Sequence, residues 1–265
     1  MTRTEETFAE RILRRINGAT VNTPPVRNVN ATLENQLERA EKTGILSLAN
    51  GKLKEIPDIF TVDLRSLDLN KNLLKFIPDD MARFADSLRH LTIADNRLAE
   101  VPLVIAQLTR LETLDLSGNR LTSVTSFPFE DLARLRVLRL QRNKIRTLPA
   151  RIGACEQLRE LDVSDNEIES LPPDLANAAA LEELRCVGNQ LTEVPTAWRR
   201  MRAVKVMRLD KNRLTKFPGE LLRETPVVVV SISDNPMQEE DLHALEGYEE
   251  YSERRKDRCD QFLRS

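Results

Sequence analysis

From residue 43 onward, apolar residues recur in a spacing that fits neither a long helix nor a long strand. The stretch Leu158 to Ile168 reads Leu-x-x-Leu-x-Val-x-x-Asn-x-Ile, and Leu171 and Pro172 follow it. The same register returns around Asn72, Asn96, Asn119, Asn143, Asn166, Asn189, Asn212 and Asn235, in steps of 24, 23, 24, 23, 23, 23 and 23 residues. A degenerate copy spans Thr43 to Leu53, with Leu46, Leu48 and Leu53 in place and Gly51 where the asparagine belongs. Seven of the nine copies carry a proline at a fixed offset: Pro57, Pro78, Pro102, Pro149, Pro172, Pro195 and Pro218. Self-similarity at one period means stacked units, each covering the apolar face of its neighbour.

Every position in the unit has a physical task. The paired leucines, such as Leu67 with Leu69 or Leu138 with Leu140, alternate with period two, so both point inward from one short strand. Nine such strands paired in parallel at ~4.8 Å make a concave wall of roughly 40 Å. The asparagine turns the chain away from the sheet, and its amide is expected to bond backbone groups that the turn leaves buried. The following Leu-Pro pair starts the return on the convex side, where proline removes an N–H that has no ladder partner. Ile105, Ile152, Leu175, Trp198 and Leu221 then fill the core from behind, and the sole tryptophan reads as core, not as a binding anchor. Repeat four departs from the pattern, with Ser126, Phe127 and Pro128 after Leu121, which predicts a longer convex loop. The expected fold is an α/β solenoid curved into a horseshoe, with a parallel concave sheet.

A solenoid needs its ends covered. Leu33, Leu37 and Ala40 recur at helical spacing before Gly44, predicting a cap helix over residues 30–42 ahead of repeats over 43–237. Residues 238–265 are the expected C-terminal cap and tail: Pro236 opens a helix whose Leu242, Leu245 and Tyr248 face the last repeat. The basic cluster Arg254 to Arg258, flanked by acids, reads as a solvated helix end. Residues 1–29 are a separate piece, in which Phe8, Ile12, Leu13 and Ile16 form one face of a predicted helix ending near Gly18, joined by a linker with Pro24 and Pro25. Repeat two places Leu73 and Phe76 at turn positions that are polar elsewhere, so this helix either folds back over that apolar spot or docks on a partner.

Composition narrows the function classes. Forty Lys plus Arg against 42 Asp plus Glu leave a net charge of −2, so no global field draws nucleic acid or anionic lipid, and direct nucleic-acid binding is not expected. Cys155, Cys186 and Cys259 are odd in number and lack CxxC spacing, which argues against a disulfide framework or zinc site and places the chain in a reducing, cytoplasmic setting. No apolar run reaches the ~20 residues of a membrane helix, and Glu5, Glu6 and Glu10 speak against a mitochondrial presequence. The chain opens Met1-Thr2, without the second-position glycine of N-myristoylation, so lipid anchoring is not expected.

Chemistry-bearing constellations are missing from the sequence. The glycines make no phosphate-binding spacing. His90 and His243 lie far apart in repeat order, and Cys186 occupies a core strand position. Neither a catalytic site, nor a metal site, nor a cofactor or small-molecule substrate is expected. Between the inward leucines the wall presents Asp68, Thr92, Asp115, Arg139, Asp162, Arg185, Arg208 and Ser231, with His90 on the same surface. Two readings of this charged face stand. Cross-strand pairing with Glu160 and Glu183 keeps the sheet soluble, or the face docks a protein, with Arg139, Arg185 and Arg208 toward its C-terminal half.

Copies ending in Leu-Pro, such as Asn143-Lys-Ile-Arg-Thr-Leu-Pro149, resemble the intracellular Ras-suppressor-like class of leucine-rich repeats over Thr43 to about Met237. The resemblance implies a leucine-rich-repeat horseshoe of nine repeats with helical caps, acting as a non-enzymatic interaction protein. The reading that follows is an adaptor or scaffold holding a protein partner on its concave face. The alternative is a fixed structural subunit of a large ciliary, cytoskeletal or ribonucleoprotein assembly.

Overall fold

The computed structural model describes residues 27–264, Thr61 apart. Nine strands lie in one sheet in chain order: β1 (Ile45–Ser47), β2 (Ser66–Asp68), β3 (His90–Thr92), β4 (Thr113–Asp115), β5 (Val137–Arg139), β6 (Glu160–Asp162), β7 (Glu183–Arg185), β8 (Val206–Arg208) and β9 (Val229–Ser231). Every neighbouring pair is parallel, and the register sets leucine on leucine: Leu46, Leu67, Leu91, Leu114, Leu138, Leu161 and Leu184, then Met207 and Val230. The return paths on the convex side are short 3-10 helices behind the prolines, as at Leu103–Gln107, Ala150–Ala154, Pro173–Asn177 and Thr196–Arg200. Ile105, Ile152, Leu175, Trp198 and Leu221 are fully buried there, and Trp198 satisfies its indole N–H on the Pro172 carbonyl at 3.2 Å.

The asparagines form the ladder that the spacing predicts, and all eight are buried. Asn166 is typical. Its Nδ2 donates to the carbonyls of Leu140 in the preceding repeat (3.0 Å), Val163 (3.0 Å) and Ser164 (3.1 Å), while its Oδ1 accepts the Ile145 N–H (3.0 Å). One side chain thus closes its own turn and joins it to the previous one. The degenerate first repeat, with Gly51, borrows Asn72, which bonds Leu48 O and Leu53 N.

A second constraint escaped the sequence reading. The residue before each ladder asparagine has positive φ in every repeat, from Lys71 (56°) and Asp95 (54°) to Lys211 (55°) and Asp234 (58°), and only Gly118 and Gly188 are glycines. Non-glycine residues in this left-handed region cost roughly 1–2 kcal/mol each, so the ladder bonds must outweigh a conformational penalty at six positions. At Gly118 there is a further reason for glycine: Asp95 and Arg142 pair across it at 3.1 Å, and a Cβ would run into Asp95 Oδ1.

The ends differ from expectation in detail. The N-terminal cap helix α1 (Arg27–Thr43) already includes the three residues ahead of residue 30, at the end of the expected linker, and stops at Gly44 (φ 69°). Its Leu37 and Ala40 are buried against the first repeat. The segment with Phe8, Ile12, Leu13 and Ile16 lies outside the described residues. On the convex side of repeat eight, α2 (Gly219–Glu224) replaces the 3-10 turn. The C-terminal cap is two helices, not one: α3 (Glu239–His243), opened by a Gln238–Asp241 capping box, and α4 (Tyr248–Arg264), with Gly247 at φ 90° between them. Leu242 is buried and Leu245 and Tyr248 pack half-buried against the core as expected, and Tyr251 is buried beside them, its hydroxyl accepting the Val230 N–H at 3.1 Å. Arg254, read as part of a solvated helix end, instead donates to the carbonyls of Leu222 and Val227 and seals the last turn. In repeat four Phe127 and Phe129 are buried edge to face, 4.8 Å between centroids, and anchor the longer loop.

Replacing Asn166 by alanine leaves the buried Ile145 N–H without its acceptor, while the carbonyls of Leu140, Val163 and Ser164 each keep a second donor in Asn143, Asn189 and the Arg142 N–H. At ~1–3 kcal/mol for an unsatisfied buried group, Asn166→Ala should lower the urea midpoint by the equivalent of ~1–3 kcal/mol, whereas the same change at exposed Lys144 should leave it within ~0.5 kcal/mol.

Candidate protein-binding face

Strands β1 to β8 keep their middle side chain buried and, Asp162 apart, turn the residues on either side to the concave surface, so the sheet register writes that surface in rows. The first row contains His90, Thr113, Val137, Glu160, Glu183 and Val206; the second contains Asp68, Thr92, Asp115, Arg139, Asp162, Arg185 and Arg208. Of the nine residues expected on this face, Asp162 is buried at 8% exposure, and Asp68, His90, Thr92, Asp115, Arg139, Arg185, Arg208 and Ser231 flank the middle residues of their strands with surface still open.

The basic residues are not free. Arg139 donates to Glu160 at 3.3 Å, and Arg185 donates to Glu183 at 2.8 Å while Glu160 and Asp162 stand at 3.6 and 3.8 Å. Arg208 lies 3.9 Å from Glu183, so charges of alternating sign run unbroken from β5 to β8. Arg139, Arg185 and Arg208 keep 37%, 36% and 50% of their side-chain surface open, so their outer edges still face solvent. The aspartates serve the backbone: Asp68, Asp115 and Asp162 accept the N–H two residues on, at 3.0, 2.9 and 2.9 Å, and fix the exit from each strand. His90 Nδ1 and Thr113 Oγ1 share a hydrogen bond at 3.2 Å.

A third row, just ahead of the strands, was not singled out in the sequence. It runs Arg65, Arg89, Glu112, Arg136, Arg159, Glu182 and Lys205, tied by bonds such as Arg89 N–H and His90 N–H to the Arg65 carbonyl. Glu112 is clasped by Arg89 and Arg136, both at 3.4 Å, and Glu182 by Lys205 at 2.6 Å and Arg159 at 3.7 Å. The Lys205 hydrogen bond holds the Glu182 carboxyl below its ordinary range. The signal was a charged residue at this offset in seven successive repeats.

The apolar spot in repeat two is present in part: Phe76 is 54% exposed and Leu73 half-buried, and Leu103 of the next repeat, at 65%, adds to the exposed apolar surface. Cys155 and Cys186 are both buried, Cys155 Sγ donating to the Phe129 carbonyl at 3.3 Å. Among the described residues no cluster of three or more His, Cys, Asp or Glu is arranged to hold a metal, and no helix is long and apolar enough to cross a membrane.

A curved parallel sheet with charged rows on its open side defines a repeat solenoid that presents a broad surface. Family models described as "Leucine rich repeat" and "Leucine Rich repeats (2 copies)" match residues 109–168 and 86–129. Together with the horseshoe, they show that the chain is built of leucine-rich repeats. The chain is similar to mouse leucine-rich repeat and calponin homology domain-containing protein 1, 34% identical over 139 residues, 49% of this chain and 19% of that protein. It is similar also to rice plant intracellular Ras-group-related LRR protein 8, 32% identical over 127 residues, 46% of this chain and 33% of that protein. These matches span a third or less of either relative. Among solved structures, a Leptospira interrogans LRR protein superposes with a TM-score of 0.68 at 25% identity over 82% of this chain and 60% of that one. Internalin C2 of Listeria monocytogenes shares the fold, with a TM-score of 0.64 at 23% identity over 74% and 83%.

Burial, with a smaller contribution from Glu130, pushes the Cys155 thiol from 9.0 up to about 12, and burial pushes Cys186 up further. A thiol whose folded pKa is raised stays protonated in the fold, so its contribution to stability is complete below about 9 and is lost as pH rises toward about 12. Both thiols should therefore resist iodoacetamide in the native protein at pH 8 and react on unfolding, and thermal stability should fall from pH 9 to pH 11.

Proposed function

We propose that the chain is a non-enzymatic adaptor that holds a protein partner on its concave face, in a cytoplasmic, reducing setting. One observation carries the reading: Arg139, Arg185 and Arg208 are fixed in a connected network with Glu160 and Glu183 while their outer edges stay open. Exposed ion pairs contribute only ~0–1 kcal/mol each to folding. Their value to recognition is larger, because guanidinium groups already immobilised by carboxylates lose little further freedom when a partner's acidic group binds them.

Mixed sign suits a protein partner. A face carrying carboxylates between its arginines repels a polyphosphate backbone as much as it attracts it, yet matches a protein surface of complementary charge order. The Leu-Pro repeats resemble the intracellular Ras-suppressor-like class. The flanks Arg39-Ala-Glu-Lys-Thr-Gly44 and Leu245-Glu-Gly-Tyr-Glu-Glu-Tyr251 are similar to those of leucine-rich repeat-containing protein 57. That similarity supports an interaction role and names no ligand.

Substituting Arg139, Arg185 and Arg208 together by glutamine should weaken capture of the partner at least ~10-fold while leaving the far-ultraviolet circular dichroism unchanged. Undiminished capture by the triple variant would remove this face from the interaction.

A further inference from the structure

The charged row ahead of the strands has one member out of pattern. Arg89 and Arg136 lean on Glu112, and Arg159 and Lys205 on Glu182, but Arg65 forms no ion pair among the described residues. Its neighbour in the row is Gly44, which ends α1 and has no side chain to set against it. In the space so left lies a cleft of about 600 Å³ between the cap helix and repeats two to four.

Its cationic lining is Lys42, Arg65, Arg89 and Arg110, and Arg110, like Arg65, has no carboxylate partner among the described residues. Two unpaired guanidinium groups lining one cleft form a set that accepts an oxyanion.

The acidic side chains decide which oxyanion. Glu41, Asp63 and Asp86 also line the cleft and are exposed, so its charge balance is four cations against three carboxylates. That arrangement repels a run of negative charge, such as a nucleic acid or an anionic lipid surface. It favours an isolated carboxylate with basic or uncharged neighbours.

We propose that this cleft is a second contact site, seating a single carboxylate side chain of a protein partner between Arg65 and Arg110, with the partner's flanking basic residues meeting Asp63 and Asp86. The proposal rests on the reading of the chain as a protein-binding module. It places one anchor at the N-terminal edge, away from the Arg139–Arg208 network.

The test is a backbone amide NMR titration of the full chain with a capped heptapeptide carrying one glutamate between lysines, alongside its glutamine counterpart. The glutamate peptide should give saturable shifts at Arg65 and Arg110, the glutamine peptide should bind at least tenfold more weakly, and Arg65→Gln with Arg110→Gln should abolish the shifts while an Arg213→Gln control keeps them. Equal binding of the two peptides, or retention by the double variant, would overturn the assignment. So would a short DNA duplex or phosphatidylserine vesicles displacing the peptide through the same arginines. If the double variant still captures a partner that the concave arginines control, this cleft alone is refuted; if the wild-type chain captures none, the underlying reading fails instead.

Discussion

The fold hangs on one buried amide per turn. Each ladder asparagine satisfies carbonyls of its own turn, a carbonyl of the repeat before it and an N–H of that repeat, so no turn is complete without the next. An amide does this because it has two donors and an acceptor on one plane. The interaction is strong enough to hold the preceding residue in the left-handed region in every repeat, even where that residue is arginine or lysine. It also explains the two caps, since a solenoid of mutually completing turns has an incomplete turn at each end. There α1 covers the first repeat, and Tyr251 and Arg254 bond the last backbone groups.

Regular stacking turns sequence offsets into surface rows. Because leucine sits on leucine through seven strands, the residues beside them align as well, and a charge at a given offset meets its counterpart one strand away. The network from Arg139 to Arg208 is the result on the wall, and the clasped Glu112 and Glu182 are the result at its edge. Where the pattern breaks at Gly44, a cleft with unpaired arginines appears. The same geometry that makes the core monotonous makes the exterior a readable array of charge.

Much of this was legible in the chain. The asparagine period gave the number of repeats, the direction of the sheet and the occupants of the core, including Trp198, because those depend on spacing alone. The positive φ before each asparagine was not legible, since only Gly118 and Gly188 advertise it and six other residues are forced into it by the ladder. The C-terminal break was missed because Gly247 lies within a segment of helical spacing, and Arg254 was hidden inside what looked like an ordinary basic cluster. The partnering of Arg139, Arg185 and Arg208 depends on side-chain reach between strands. Sequence supplies the candidates Glu160 and Glu183, but the choice among them is made by distance.

The central claim is that partners meet the concave side. Zero-length carboxyl–amine cross-linking of the tagged chain in native lysate, mapped by mass spectrometry, addresses it directly. The account predicts intermolecular links concentrated at Glu112, Glu160, Glu182 and Glu183 and at the cleft, with convex carboxylates such as Asp80, Asp174 and Glu220 unlinked. Links confined to the convex residues would contradict it.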